Sequence, residues 1–277
     1  VYTQPGSGNI IGGTGIAIKL WGHTAEEMMI PGTEEMKFAL GENPKRFHGL
    51  EQHRMPWTRM GTAALLRETL YKAKNYSDKL KAAETDPSKA PEPDFKLDAL
   101  VRVIRGEQRV RIHCHRADDI ITAIRIAKEF GLDFTLEHAT EGYKVRDVIA
   151  ENHLYCIVGP LLLPPSKQEI WNLKLENPGM LTDAGVKVCL TADTGSETKW
   201  LPMQAGLLLR RGMTEENIMK GLTIYPAEVL NLDHRIGSLE EGKDADVAVF
   251  DGNPLYNTTL CRMTMIDGEV VYSTLDE

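Results

Sequence analysis

Aromatic residues make up only 6% of the 277-residue chain, too few for the stacked rings that line a carbohydrate-binding mouth. Positive charge is short as well. Lys and Arg number 32 against 40 Asp and Glu, a formal charge of −8, and no basic run is long enough to grip a phosphate backbone. Nucleic acid is thereby excluded as the main partner. No stretch approaches the roughly 20 apolar residues that cross a bilayer, and no charged-then-apolar leader is present, which leaves no membrane partner. The four cysteines (Cys114, Cys156, Cys189, Cys261) are widely spaced, without a CxxC pair. A structural zinc ribbon is therefore excluded, and the thiols read as those of a reduced, cytoplasmic enzyme. An initiator Met is also lacking. The chain opens Val1-Tyr2-Thr3-Gln4, β-branched and aromatic like the middle of a strand, so an N-terminal piece is expected to be missing.

What is present is ordinary globular composition, 42% apolar and 26% charged. Strand-like runs alternate with helical ones. Seven strands are expected before residue 195: Val1–Gln4, Ile16–Leu20, Met36–Leu40, Arg109–His113, Leu132–His138, Leu154–Gly159 and Val186–Ala192. The helix from about Asp118 to Phe130 should stop at Gly131. Others are expected near Tyr143–Glu151, Pro202–Arg211, Glu215–Leu222 and Pro226–Leu230. Strands separated by helices build βαβ units and a parallel sheet. The fold expected is α/β, a (β/α)8 TIM barrel lacking its first strand, with Val1–Gln4 as a central barrel strand. Tyr71–Asp94 reads as a helix and a solvated linker. After Ile236 the pattern changes to Asp246–Phe250, Arg262–Ile266 and Val270–Tyr272, with Asp267-Gly268 as a hairpin turn. The division expected is a barrel over 1–232 and a small β module over 233–277.

Three strand C-termini carry metal-type ligands, which in such a barrel is the catalytic face. They are His113-Cys114-His115, Glu137-His138 and Asp193. Alternate residues of a strand share a face, so His113 and His115 are able to point the same way. Neutral imidazoles and a carboxylate suit zinc and similar divalent ions. Five glycines between Gly6 and Gly15 lack the Lys-Ser/Thr ending of a phosphate cradle, and read instead as a loop at the barrel mouth. Asn9 and Gln4 are its candidate substrate contacts; ordinary turn chemistry is the alternative.

These stretches, with "MKFALGENPKR", "RIHCHRADDI", "LEHAT" and "TIYPAEVLNLDHRIGSLEEGKDADVAVFDGNP", resemble the metal-dependent amidohydrolase superfamily, close to its imidazolonepropionase-related group. The resemblance covers nearly the whole chain. It implies that residues 233–277 belong to the β-sandwich that flanks the barrel. It matches His113 and His138 to the ligands after the fifth and sixth barrel strands. Asp193 matches the eighth-strand aspartate, which binds metal and shuttles the proton. Lys37 falls where some members carry a carboxylated, metal-bridging lysine, with a salt-bridging lysine as the alternative; Lys19 is a weaker candidate. His115 is taken as a substrate contact or a support for the ligands. The family's first-strand His-x-His pair is not in this chain, so weak metal binding is expected.

The function these features suggest is hydrolysis of an amide or cyclic amide C–N bond in a small molecule. One or two divalent ions, zinc first, would activate water, and Asp193 would act as general base. A deaminase or a prolidase-like dipeptidase of the same superfamily, or a non-catalytic scaffold on this fold, are the alternatives. The unpaired edges of a barrel lacking a strand favour a homo-oligomer.

Overall fold

The computed structural model describes residues 1–275. Its strands are β1 (Tyr2–Thr3), β2 (Ile11–Ala17), β3 (Glu35–Ala39), β4 (Val110–Cys114), β5 (Phe134–His138), β6 (Tyr155–Val158), β7 (Lys187–Leu190), β8 (Val247–Phe250), β9 (Cys261–Ile266) and β10 (Glu269–Ser273). The helices are α1 (Ala25–Met28), α2 (Glu42–Lys45), α3 (Arg59–Ala83), α4 (Phe95–Ile104), α5 (Ala117–Phe130), α6 (Arg146–Glu151), α7 (Asn177–Asp183), α8 (Leu201–Gly206), α9 (Glu215–Leu222) and α10 (Ile224–Val229). Strands β1 to β7 form one sheet in sequence order, and β8 to β10 a separate three-stranded one. The fold is that of an incomplete (β/α)8 barrel with a small additional sheet. No described helix is long and apolar enough to cross a membrane.

The sheet is not parallel throughout. Strands β3–β4 and β6–β7 pair in parallel, but β1–β2 and β2–β3 are antiparallel. Val1–Gln4 therefore supplies no central barrel strand. Only Tyr2 and Thr3 pair, with Ala17 and Ile16, at the end of the strand order. The glycine-rich segment is a loop only in its first half: Gly6 and Gly8 lie in the turn before β2, whereas Gly12, Gly13 and Gly15 lie within β2. A Cβ on Gly12 would stand 3.4 Å from the Lys37 stem and 3.3 Å from the Gly6 carbonyl, so a larger residue would displace one of them.

The chain divides into two compact units. One comprises Gln4–Gly15 and Glu34–Leu136. In it β4 alternates strictly. Val110, Ile112 and Cys114 bury one face, while Arg109, Arg111 and His113 occupy the other. Helix α3 starts on the Thr58 cap, whose hydroxyl accepts from the Gly61 amide at 3.0 Å. It buries Leu66, Leu70 and Ala73 and packs on α4 and α5. The amphipathic α5 ends on Gly131 at φ 65°, the left-handed stop its sequence announces.

The other unit comprises Val1–Thr3, Ile16–Thr33 and the chain from Glu137 onward. Val188 on β7 lies under Gly221 of α9, where a Cβ would meet the Val188 carbonyl at 2.7 Å. The hairpin β9–β10 turns on Asp267-Gly268, both at positive φ. Its neighbour β8 is anchored through Lys19, whose Nζ donates to Asp244 at 2.8 Å, to Asp246 at 3.2 Å and to Asp267. That occupation removes Lys19 as a candidate metal bridge.

Candidate metal centre

Residues Arg109 to His115 put a column of polar groups on one face of β4 and its extension. At the strand's start Arg111 donates to Glu35 in a buried pair, and Arg109 donates to Asp133 at 2.9 Å. Burial raises the Glu35 carboxyl above the usual range, and the guanidinium of Arg111 opposes that rise without cancelling it. Lys37, only 2% exposed, pairs in register with Arg111, and Ala39 pairs with His113. His113 and His115 close the column, 3% and 2% exposed, with ring centroids 4.7 Å apart and planes crossed at 88°.

Two asparagines, neither anticipated as functional, set the surroundings. Asn43 opens the α2 turn directly after β3. Its amide donates to Ser7 Oγ at 2.7 Å and approaches His113 Nε2 at 3.3 Å. Asn177, at the head of α7, accepts from the Tyr143 amide at 2.9 Å and donates to the Ala139 carbonyl at 3.0 Å. Asn177 thereby holds the chain just after β5, where His138 and Ala139 both take positive φ, 68° and 39°. Neither residue enters that region without cost, and such strain persists where the surroundings enforce it.

His138 donates from Nδ1 to the Gly159 carbonyl at 2.6 Å. A backbone acceptor on one ring nitrogen fixes the tautomer and presents Nε2 as the lone-pair atom, as in metal-binding histidines generally. His113 and His115 lie in one compact unit, both buried with ring centroids 4.7 Å apart, and His138 is buried at the start of the other unit's C-terminal segment. Imidazole nitrogens are ligands that suit a divalent ion of zinc type.

Asp193 follows β7 on an exposed loop at φ 59°, its amide donating to Thr191 Oγ1 at 3.2 Å. Gln4 is half-buried and Asn9 is exposed in the turn before β2. Arg116 donates to both oxygens of Asp118, at 2.9 and 3.0 Å, and Arg59 donates to Asp119 at 2.9 Å. Those contacts fix the first turn of α5, just after His115.

The family profile described as the amidohydrolase family matches residues 64–271. The chain belongs to that family. Over 99% of its length it superposes on 71% of the crystal structure of an amidohydrolase from Thermotoga maritima MSB8, with a TM-score of 0.94 and 40% identity. Amidohydrolase tasK of Hapsidospora irregularis is 25% identical over 95% of this chain and 29% of that protein. An imidazolonepropionase of Geobacillus sp. (strain WCH70) is 39% identical over 28% of this chain and 19% of its own length. The chain thus spans less than a third of either of these two curated relatives.

Proposed function

We propose that the chain is a metal-dependent hydrolase that opens the C–N bond of an amide or cyclic amide in a small molecule. The observation that carries this reading is the pair of buried imidazoles, His113 and His115, with ring centroids 4.7 Å apart in a chain of the amidohydrolase family. His113, His115 and His138 would hold the ion, with Lys37 as a further ligand and zinc the ion expected. Three ligands meet the count of a catalytic zinc site, so we expect firmer metal retention than the sequence suggests. When bound, such an ion supplies Lewis acidity that activates water and polarises the substrate carbonyl.

The chain's own groups do the rest. The Gly159 carbonyl keeps the proton of His138 on Nδ1. Asn43 steadies His113 through Ser7. A carboxylate oxygen of Asp193 takes the proton from the attacking water and later returns it to the leaving nitrogen, so that the C–N bond breaks to an amine and an acid. Gln4 and Asn9 are the proposed polar contacts to substrate. Residues 233–277 are read as part of a β-sandwich. The cysteines, none in a disulfide, suit the cytoplasm.

The test is metal analysis and an amide panel on the full chain. Zinc near one or two equivalents is expected, with His138→Ala losing both metal and hydrolysis while its folded fraction stays unchanged. Full zinc content in His138→Ala would remove this residue from the centre.

A further inference from the structure

Strands β6 and β7 end side by side, and Thr191, the first residue beyond β7, joins the two ends. Its amide donates to the Val158 carbonyl at 3.0 Å, which carries the parallel ladder one residue past the strand. Its carbonyl and methyl stand where a side chain on Gly159 would reach, and the Gly159 carbonyl in turn accepts the Nδ1 proton of His138. The Thr191 hydroxyl serves the next segment instead, accepting from the Asp193 amide at 3.2 Å. Between them Ala192 is buried, whereas Asp193 and residues 194–196 are exposed. Asp193 takes φ 59°, a region that any residue other than glycine enters at some cost.

One residue thus touches two groups at the reactive end of this unit: the glycine that fixes the His138 tautomer and the backbone that carries the Asp193 carboxylate. We propose that Thr191 is a positioning residue, whose hydroxyl holds Asp193 in the left-handed conformation and so sets where its carboxylate stands for proton transfer. The proposal rests on Asp193 being the general base. A reacting group misplaced by about 1 Å can cost 10²-fold in rate, so one hydrogen bond to the backbone beneath the carboxylate is enough to matter. The hydroxyl acts independently of His138, because the contact with Gly159 is made by the Thr191 carbonyl and methyl, which a valine would reproduce.

The experiment compares two variants of the full chain: Thr191→Val, which keeps the shape against Gly159 and removes the hydroxyl, and Thr191→Ser, which keeps the hydroxyl. Amide exchange at Asp193, followed by NMR, should quicken about threefold to tenfold in Thr191→Val, the loss of one neutral hydrogen bond, and return to the wild-type rate in Thr191→Ser. The His138 ring should keep its proton on Nδ1 in both variants, as read from its ring-nitrogen shifts. On any member of the amide panel that the wild type hydrolyses, kcat should fall about tenfold to 10²-fold in Thr191→Val with KM unchanged, and recover in Thr191→Ser. Unchanged exchange in Thr191→Val, a displaced His138 proton, a rise in KM with kcat intact, or a loss that serine does not restore would each overturn the proposal. Normal turnover in Thr191→Val overturns the role of Thr191 and leaves the hydrolase reading standing. Faster, serine-restored exchange in a chain that hydrolyses no amide supports the hold of Thr191 on Asp193 and counts against the hydrolase reading.

Discussion

The two ends of strand β4 are built from the same alternation and do opposite things. At its start, Arg111 is satisfied by buried Glu35 and Arg109 by Asp133. At its finish, His113 and His115 bring two imidazole rings together, their centroids 4.7 Å apart. The start holds charge that is already answered, so it can only stabilise. The finish holds imidazole nitrogens, groups that serve as neutral donors to a divalent ion. The second unit repeats the contrast. Tyr155 and Lys187, the first residues of β6 and β7, are tied to Glu228 at 2.6 Å each. Burial acts to raise the Glu228 carboxyl, but Lys187 and Tyr155 outweigh it and hold the group below its ordinary range. At the other ends of these strands stand Gly159 and the loop that carries Asp193. Stability at one end and chemistry at the other is the usual division in such barrels.

Substitutions can break that division. Asp193→Asn should cut kcat by about 10²–10⁴-fold on any amide the chain hydrolyses, with its melting curve unchanged. Near-normal turnover in that variant would remove Asp193 from the chemistry. Glu35→Ala, at the opposite end, should cost about 3–5 kcal/mol in urea denaturation, because Arg111 is left buried and unpaired. Its zinc content per folded molecule should not change. A stability loss below about 1 kcal/mol would show that water reaches Arg111 and that this end is not sealed.

Asn177→Ala sharpens the contrast, since this amide serves the reactive end by a purely structural route. The loss expected is about 2 kcal/mol, from a buried Tyr143 amide and Ala139 carbonyl left without their partner. Metal affinity should weaken with it as the turn after His138 relaxes. Unchanged metal affinity would separate the turn from the centre.

The smallest effect is expected far from either end. Lys19→Met should cost about 1 kcal/mol, because Asp246 and Asp267 are partly in water. The hydrogen bond from Lys19 holds the Asp244 carboxyl below its ordinary range. Burial pulls the Lys19 value down, but its three aspartates outweigh that and raise it. The contribution is therefore complete at neutral pH. It fades below about pH 4, as Asp244 takes a proton, and again above about pH 10.5, as Lys19 loses one. Denaturation midpoints of wild type and Lys19→Met should converge at both extremes; a constant difference from pH 3 to 11 would contradict the charge-based account.

Elements with local signals were legible in the sequence. Gly131 marked the stop of α5, Asp267-Gly268 marked the β9–β10 hairpin, and Glu215–Leu222 matches α9 residue for residue. The error in β2 has a physical source. Three glycines within five residues carry a turn signal, yet here they serve a strand that runs against a buried lysine stem, a demand visible only once β3 is beside it. Val1–Gln4 misled for a related reason, since strand propensity does not say whether a strand is central or terminal. In the site, the alternation that joins His113 and His115 could be read directly. Asn43 and Asn177 could not. Asn43 is 70 residues from His113 and Asn177 is 38 from Ala139, and an amide in a turn ordinarily serves only the turn.

Gly159 sets a limit on redesign of this protein. At φ 146° its missing Cβ would fall 1.9 Å from the Thr191 carbonyl, while its own carbonyl receives the proton of His138. Position 159 thus has an alphabet of one letter. Any library that varies the surroundings of His138 has to draw its diversity from other positions, because even alanine at 159 would push the two strand ends apart and shift the imidazole with them.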